Sequence, residues 1–207
     1  MSTFTIRTDL LYRLRWLVAG WAPVGAVYFL FAAIQPEGSM LQPSWLDRKL
    51  PYVQWAIWPY LSFFILLPLA YWKCEIEKVR WLTRSMQTVL LLSAIVYLLW
   101  PTAMQPEAVN PATFSGWVLQ ILMFIDTNGN CLPSLHASLS LLAVLALLQP
   151  GRFAAANILL WIWFAAISLS IVMLRRHLAI DWAAGVATAL AAGWCCRQIL
   201  LYRQKQL

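Results

Sequence analysis

FAAANILLWIWFAAISLSIVML (Phe153–Leu174) and IDWAAGVATALAAGWCCRQILL (Ile180–Leu201) are apolar runs separated only by Arg175-Arg176-His177-Leu178-Ala179. Each approaches the ~20 residues with which a helix crosses a bilayer, so the pair reads as a helical hairpin whose tight turn carries cations and a histidine. Comparable runs occupy Trp16–Ile34, Tyr52–Trp72, Met86–Pro101 and Pro133–Gln149. The expectation is an all-α polytopic membrane protein with six transmembrane helices, forming a single membrane-embedded domain over residues 1–207. Composition agrees: 62% hydrophobic residues, 11% charged residues and 13 tryptophans, with a mean hydropathy of +0.68, exclude an ordinary soluble domain. Backbone groups in lipid must be satisfied within the segment, and no alternating strand pattern with turns is present, so a barrel is excluded as well. The first run follows Arg13 and Arg15 as a signal peptide does, but it is long and has no small-residue cleavage site, so it reads as a retained span.

Charge orients the spans. With six of them, both termini share a side with the second and fourth loops. That side collects Arg7, Arg13, Arg15, Lys73, Lys78, Arg80, Arg84, Arg152, Arg197, Arg203 and Lys205, leaving Arg48, Lys49, Arg175 and Arg176 opposite. The positive-inside rule makes the first side cytoplasmic. The asymmetry accounts for the net charge of +7, and no basic patch interleaved with aromatics points to nucleic acid. A compact chain without glycosylation sequons reads as a bacterial inner-membrane protein.

The longest non-spanning stretch, Thr102 to Leu132, lies on the outer side. Within it Phe114–Phe124 is apolar but too short to cross, which predicts a short interfacial or re-entrant helix before the fourth span. Trp45, Trp55, Trp58, Trp72, Trp81 and Trp100 near span ends read as interfacial anchors. Only Cys131 of the cysteines falls on the outer side, so no disulfide is expected.

The two histidines of the chain both lie at outer span ends. His177 and Asp181 are spaced i, i+4, so a helix beginning just before His177 sets them one turn apart on one face. An Asp that accepts from one imidazole nitrogen fixes the tautomer and leaves the other to attack, which makes His177 a candidate nucleophile. Arg175 and Arg176 are guanidinium forks suited to a phosphate. His136 follows Pro133 and Ser134 at a helix start, where free N–H groups and the dipole favour an anion. Ser134 adds a hydroxyl, and His136 has the pKa range for a general acid and base.

Pro133-Ser134-Leu135-His136, with Ser170, His177 and Asp181 at fixed spacing, resembles the second and third motifs of the type 2 phosphatidic acid phosphatase superfamily, whose members are membrane lipid phosphatases and phosphotransferases. The resemblance covers roughly residues 126–185. It implies a six-helix fold, a phosphohistidine on His177, Asp181 as its partner, His136 as general acid/base, a site at the outer face, and neither metal nor cofactor. The implied partners are membrane lipids and a phosphorylated lipid substrate, either a phospholipid or a polyprenyl diphosphate. Departures are specific: Ile171 replaces the third-motif arginine, and the first motif has no counterpart, because no Lys or Arg occurs between Arg84 and Arg152. Arg175 and Leu135 look like the branch containing inositol phosphorylceramide synthases, which moves headgroup phosphates between lipids.

Weaker candidates for headgroup contact are Asp126, Asn128 and Asn130, in a polar turn whose Asx residues ordinarily serve turn geometry, and Ser170, which in a span can bond its own helix. Glu37, Asp47 and Glu107 are expected in solvent. Two rival classes remain: a haem or metal protein, for which histidines at span ends beside cations are poorly placed, and a non-catalytic lipid-binding or transport protein.

Overall fold

The computed structural model describes residues 3–34, 38–126, 129–149, 151, 154–204 and 206. Glu37, Asn128, Arg152 and Lys205, along with the side chain of Arg7, lie outside the described residues. In chain order the elements are α1 (Thr3–Ile34), β1 (Ser39–Met40), α2 (Trp45–Lys49), a 3-10 turn (Gln54–Ala56), α3 (Ile57–Leu61), α4 (Phe63–Lys73), α5 (Ile76–Leu99), β2 (Thr102–Ala103), α6 (Phe114–Ile125), α7 (Leu135–Leu147), α8 (Ala154–Met173) and α9 (Ala179–Gln204). The all-α reading stands, since helix accounts for 77% of the described residues.

Among the described residues, five helical stretches are long and apolar enough to cross a membrane: Thr8–Phe31, Gln54–Lys73, Ile76–Leu99, Ala154–Met173 and Ala179–Arg203. The expected fourth span is shorter. Ser134 caps α7 at one end and extended Leu148 ends it at the other, leaving 13 residues, or ~20 Å of helix. Almost all of its side chains are buried, because α7 lies inside the bundle against α4, α5, α8 and α9. By contrast only 17% of the apolar window of α1 is buried, so that helix leaves most of its apolar surface outside the bundle. Helices also outrun the apolar pattern: α5 begins at Ile76 and so includes Lys78, Arg80 and Arg84, since a helix need not stop where the hydrocarbon does. Trp81 is no simple anchor, as its indole donates to the Gly193 carbonyl of α9 at 2.8 Å.

The segments at the histidine end are knitted together. Parallel β1 and β2 join Ser39 to Thr102 and Met40 to Ala103, and Ala103 bridges Gly129. Gly38 is needed there, because a Cβ would meet the Thr102 carbonyl carbon at 2.7 Å. Helix α6 forms as expected, capped by the Thr113 hydroxyl on Gly116 N–H, and packs on the 3-10 turn and α3.

Asp47 corrects a sequence expectation. It is fully buried rather than solvated. With Ser44 it forms a capping box, and its Oδ1 also accepts from Ala179 N–H, the first amide of α9, at 2.7 Å.

Candidate active site

The turn bearing His177 is built from the end of α8. Arg175 N–H bonds Val172 O at 3.0 Å and Arg176 N–H bonds Ile171 O at 3.1 Å, the Schellman arrangement that satisfies orphan carbonyls at a helix end. The His177 N–H shares the Ile171 carbonyl at 3.3 Å. Ile171 therefore anchors the turn by its backbone. Such a motif needs a left-handed residue, and Arg175 takes it with φ 53°.

Arg175 and Arg176 separate at this turn. The Arg175 guanidinium donates to the carbonyls of Asp47 at 2.6 Å and Leu50 at 2.9 Å, strapping the turn to the α2 segment. The Arg176 guanidinium is buried and meets the Asp126 carboxylate at 2.7 Å. A left-handed conformation costs a non-glycine residue about 1 kcal/mol. Arg175→Gly is therefore expected to melt above Arg175→Ala in detergent: both lose the strap, and only glycine recovers the backbone cost. The reverse order would mean that the left-handed turn carries no strain.

Helix α9 starts at Ala179, two residues later than the i, i+4 reading requires. The reason is that Asp181 Oδ2 accepts from Leu178 N–H at 2.8 Å, acting as a cap at the helix start. His177 thus lies in the turn, yet its Nδ1 stands 3.6 Å from Asp181 Oδ2, just beyond hydrogen-bond length. Asp181 is fully buried. Its Oδ1 and His177 Nδ1 have no hydrogen-bond partner among the described residues.

Burial pushes the Asp47 carboxyl up, but hydrogen bonds from Ser44 and Ala179, with the Arg175 charge, outweigh this and hold it below the ordinary carboxylate range. A depressed folded value stabilises the protein above the unfolded pKa of ~3.9, and that contribution disappears as pH falls from there through the lower folded value. Thermal melts of Asp47→Asn across the acid range should show a shallower loss of stability than wild type. An unchanged slope would remove Asp47 from the acid response.

Helix α7 begins against the same turn. Ser134 is fully buried; its hydroxyl accepts from Ala137 N–H at 3.3 Å and its amide donates to Asp181 O at 3.0 Å. The Ser138 hydroxyl donates to Ser134 O and to Gly185 O, both at 2.8 Å. A Cβ on Gly185 would lie 2.4 Å from Ser134 O, so the glycine lets α9 close on α7. This contact brings the histidines together, with ring centroids 6.4 Å apart. The His136 ring stacks on Tyr60 at 4.5 Å and against Phe63 at 4.6 Å, and its Nε2 has no hydrogen-bond partner among the described residues.

The polar turn before α7 also converges here. Asp126 accepts from Tyr28 at 2.5 Å and from Tyr60 at 3.5 Å, in addition to its pair with Arg176. Asn130, buried with φ 56°, donates to Tyr28 O at 3.1 Å. Ser170 is turned away, its hydroxyl donating to Ile167 O of its own helix at 2.7 Å. Glu107, half exposed, is 4.0 Å from Arg175. Burial pushes the neighbouring Cys131 thiol up to about 12, so it offers no thiolate at neutral pH. Tyr28, Tyr60, Phe63 and Asp47 escape sequence reasoning. For Asp47 a signal existed, since Ser44-x-x-Asp47 is capping-box spacing. The aromatics sit in uniformly apolar runs that do not reveal which face turns inward.

Among curated proteins, none matches the chain. The family model described as the PAP2 superfamily, which generally comprises phosphatases and phosphotransferases, matches residues 33–195. That interval holds the His136 and His177 segments and also most of the first half, which lies outside the residues 126–185 that carry the motif resemblance. A match over this much of the sequence settles family membership: the chain belongs to the PAP2 superfamily.

Proposed function

We propose that this protein is an integral membrane enzyme that removes a phosphoryl or phospho-headgroup from a lipid through a phosphohistidine on His177. The observation carrying this reading is the convergence of His177, His136 and Asp181 from separate helix ends, with the rings 6.4 Å apart and Asp181 3.6 Å from Nδ1. Because Nδ1 faces the carboxylate, Nε2 is the attacking atom. Asp181 stabilises the imidazole as it becomes positive, and His136 protonates the leaving oxygen. Arg176, buried and oriented by the Asp126 carboxylate, is the guanidinium that serves the transferred phosphate. Arg175, tied to carbonyls, acts on the position of the turn. Ser134 contributes through the start of α7 that its cap defines, where the helix dipole favours an anion.

Helix α7 completes a sixth crossing in this reading. Tyr97, near the end of α5, donates to Pro133 O just before α7 at 2.9 Å, while Lys78 in the first turns of α5 reaches Leu148 O just after it at 2.5 Å. The two helices therefore run antiparallel for most of their length. With six crossings the basic loops face the cytoplasm and the histidines the opposite, periplasmic side of a bacterial inner membrane.

Transfer to a lipid hydroxyl, as in the inositol phosphorylceramide synthase-like branch, is favoured over hydrolysis by the burial of the site: His177 is 8% and Asp181 0% exposed, which restricts water. The test is an assay of purified protein in detergent against a phospholipid panel, with and without hydroxylated lipid acceptors, following free phosphate and new phospholipids, with His177→Ala as control. Product that appears only with an acceptor makes it a phosphotransferase, and free phosphate without one makes it a phosphatase. Silence across the panel returns the protein to the lipid-binding class.

A further inference from the structure

An apolar cavity of about 190 Å³ opens beside His136, walled by α1, α3, α4, α6 and α7. Gly25 and Phe29 of α1, Phe64 of α4 and Leu139 of α7 contribute its apolar walls. Four of its lining residues cluster, with Tyr28 and Tyr60 donating to Asp126 and Tyr60 stacked on His136. No lysine or arginine is among the described residues that line it, and the Asp126 charge is already met by Arg176 at 2.7 Å.

The position of this cavity fixes what can leave. If His136 gives its proton to the departing oxygen, whatever that oxygen carries emerges on the His136 side, against the faces of Tyr60 and Phe63. A lipid alkoxide becomes a neutral alcohol there, and its hydrocarbon suits the walls. A departing phosphate keeps negative charge even after one protonation. It would rest against aromatic faces and beside Asp126, with Arg176 engaged by that carboxylate and by the transferred phosphoryl group, so its desolvated charge would be poorly compensated.

We infer that this cavity holds the hydrocarbon of a neutral leaving alcohol, and hence that the enzyme acts on lipid phosphomonoesters or phosphodiesters and discriminates against lipid diphosphates. This rests on the phosphohistidine reading above. The bond from phosphorus to the lipid oxygen breaks as the His177 Nε2–phosphorus bond forms, and that oxygen takes the His136 proton. In the second half water or an acceptor hydroxyl attacks phosphorus, the phosphorus–nitrogen bond breaks, and the attacker's proton returns to His136.

A matched pair of polyprenyl monophosphate and diphosphate, identical in hydrocarbon, isolates leaving-group charge. With the purified protein and a hydroxylated lipid acceptor supplied to both, kcat/KM for the monophosphate should exceed that for the diphosphate at least about tenfold. A diphosphate turned over equally well or better overturns the inference while leaving the phosphohistidine reading intact. Silence on both, on phosphatidic acid and on phosphodiester phospholipids, with the acceptor supplied throughout, overturns that reading itself. Gly25 supplies a second test, because a Cβ there meets no atom within 4 Å. Gly25→Leu should therefore project into the cavity and lower the ratio of long-chain to short-chain phosphomonoester kcat/KM about tenfold. An unchanged ratio in a variant that melts like wild type removes the hydrocarbon from this cavity.

Discussion

His177→Ala is expected to lower kcat on phosphorylated lipid by at least about 10⁴-fold, the scale on which removal of an attacking side chain disables enzymes that use one. Thermal unfolding in detergent should remain close to wild type. Both expectations come from the same geometry. The ring lies beside His136 and the Asp181 carboxylate, and its Nδ1 makes no hydrogen bond among the described residues. The turn itself is held by main-chain bonds to Ile171 and by the Asp181 and Asp47 caps, which alanine leaves in place. His136→Ala should also be severe, in the range of about 10²–10⁴-fold for loss of a general acid, but with a different signature. An activated aryl phosphate needs little protonation of its leaving group, so it should recover much of the His136→Ala loss and none of the His177→Ala loss. Label from the donor phosphate should be retained on wild-type protein in a base-stable, acid-labile form and be missing from His177→Ala. Comparable turnover in His177→Ala and wild type would overturn the assignment.

What the sequence displays and what it conceals divide along physical lines. Long apolar runs are displayed, because the bilayer imposes length and composition on every crossing helix; hence the expectations at Phe153–Leu174 and Ile180–Leu201 fall on α8 and α9. Helix α7 is shorter than the expected run because it is enclosed by protein, where composition stays apolar and length is freed from bilayer thickness. The spacing of His177 and Asp181 survives as proximity although helix α9 starts later than expected, because a capping carboxylate reaches back over its own first turn. The division between Arg175 and Arg176 is concealed, since it depends on which residue takes the left-handed position of the Schellman turn. The capping role of Asp47 is displayed by its spacing from Ser44, but its burial is concealed, because that depends on the first amide of α9 lying against it. The inward aromatics Tyr28, Tyr60 and Phe63 cannot be singled out in spans that are apolar on all faces. Family membership adds breadth without adding these contacts, for the match names an interval rather than roles.

Asp181 should give the sharpest separation of chemistry from architecture, because one residue carries both. Its Oδ2 takes Leu178 N–H at 2.8 Å, its main-chain oxygen takes Ser134 N–H at 3.0 Å, and the same carboxylate faces His177 Nδ1 at 3.6 Å. Asp181→Asn keeps an oxygen for the Leu178 amide and leaves the main-chain bond untouched, while removing the charge that orients the ring and meets it as it turns positive. A loss in kcat of about 10³–10⁴-fold is expected, with little change in melting temperature. Asp181→Ala should lose activity to a similar degree and, in addition, about 1 kcal/mol of stability from the missing cap. Paired kinetics and melts of the two variants test this directly. Parallel losses of stability would show the carboxylate charge itself to be structural. Near wild-type turnover in a folded Asp181→Asn would detach the carboxylate from the imidazole and leave helix capping as its sole task.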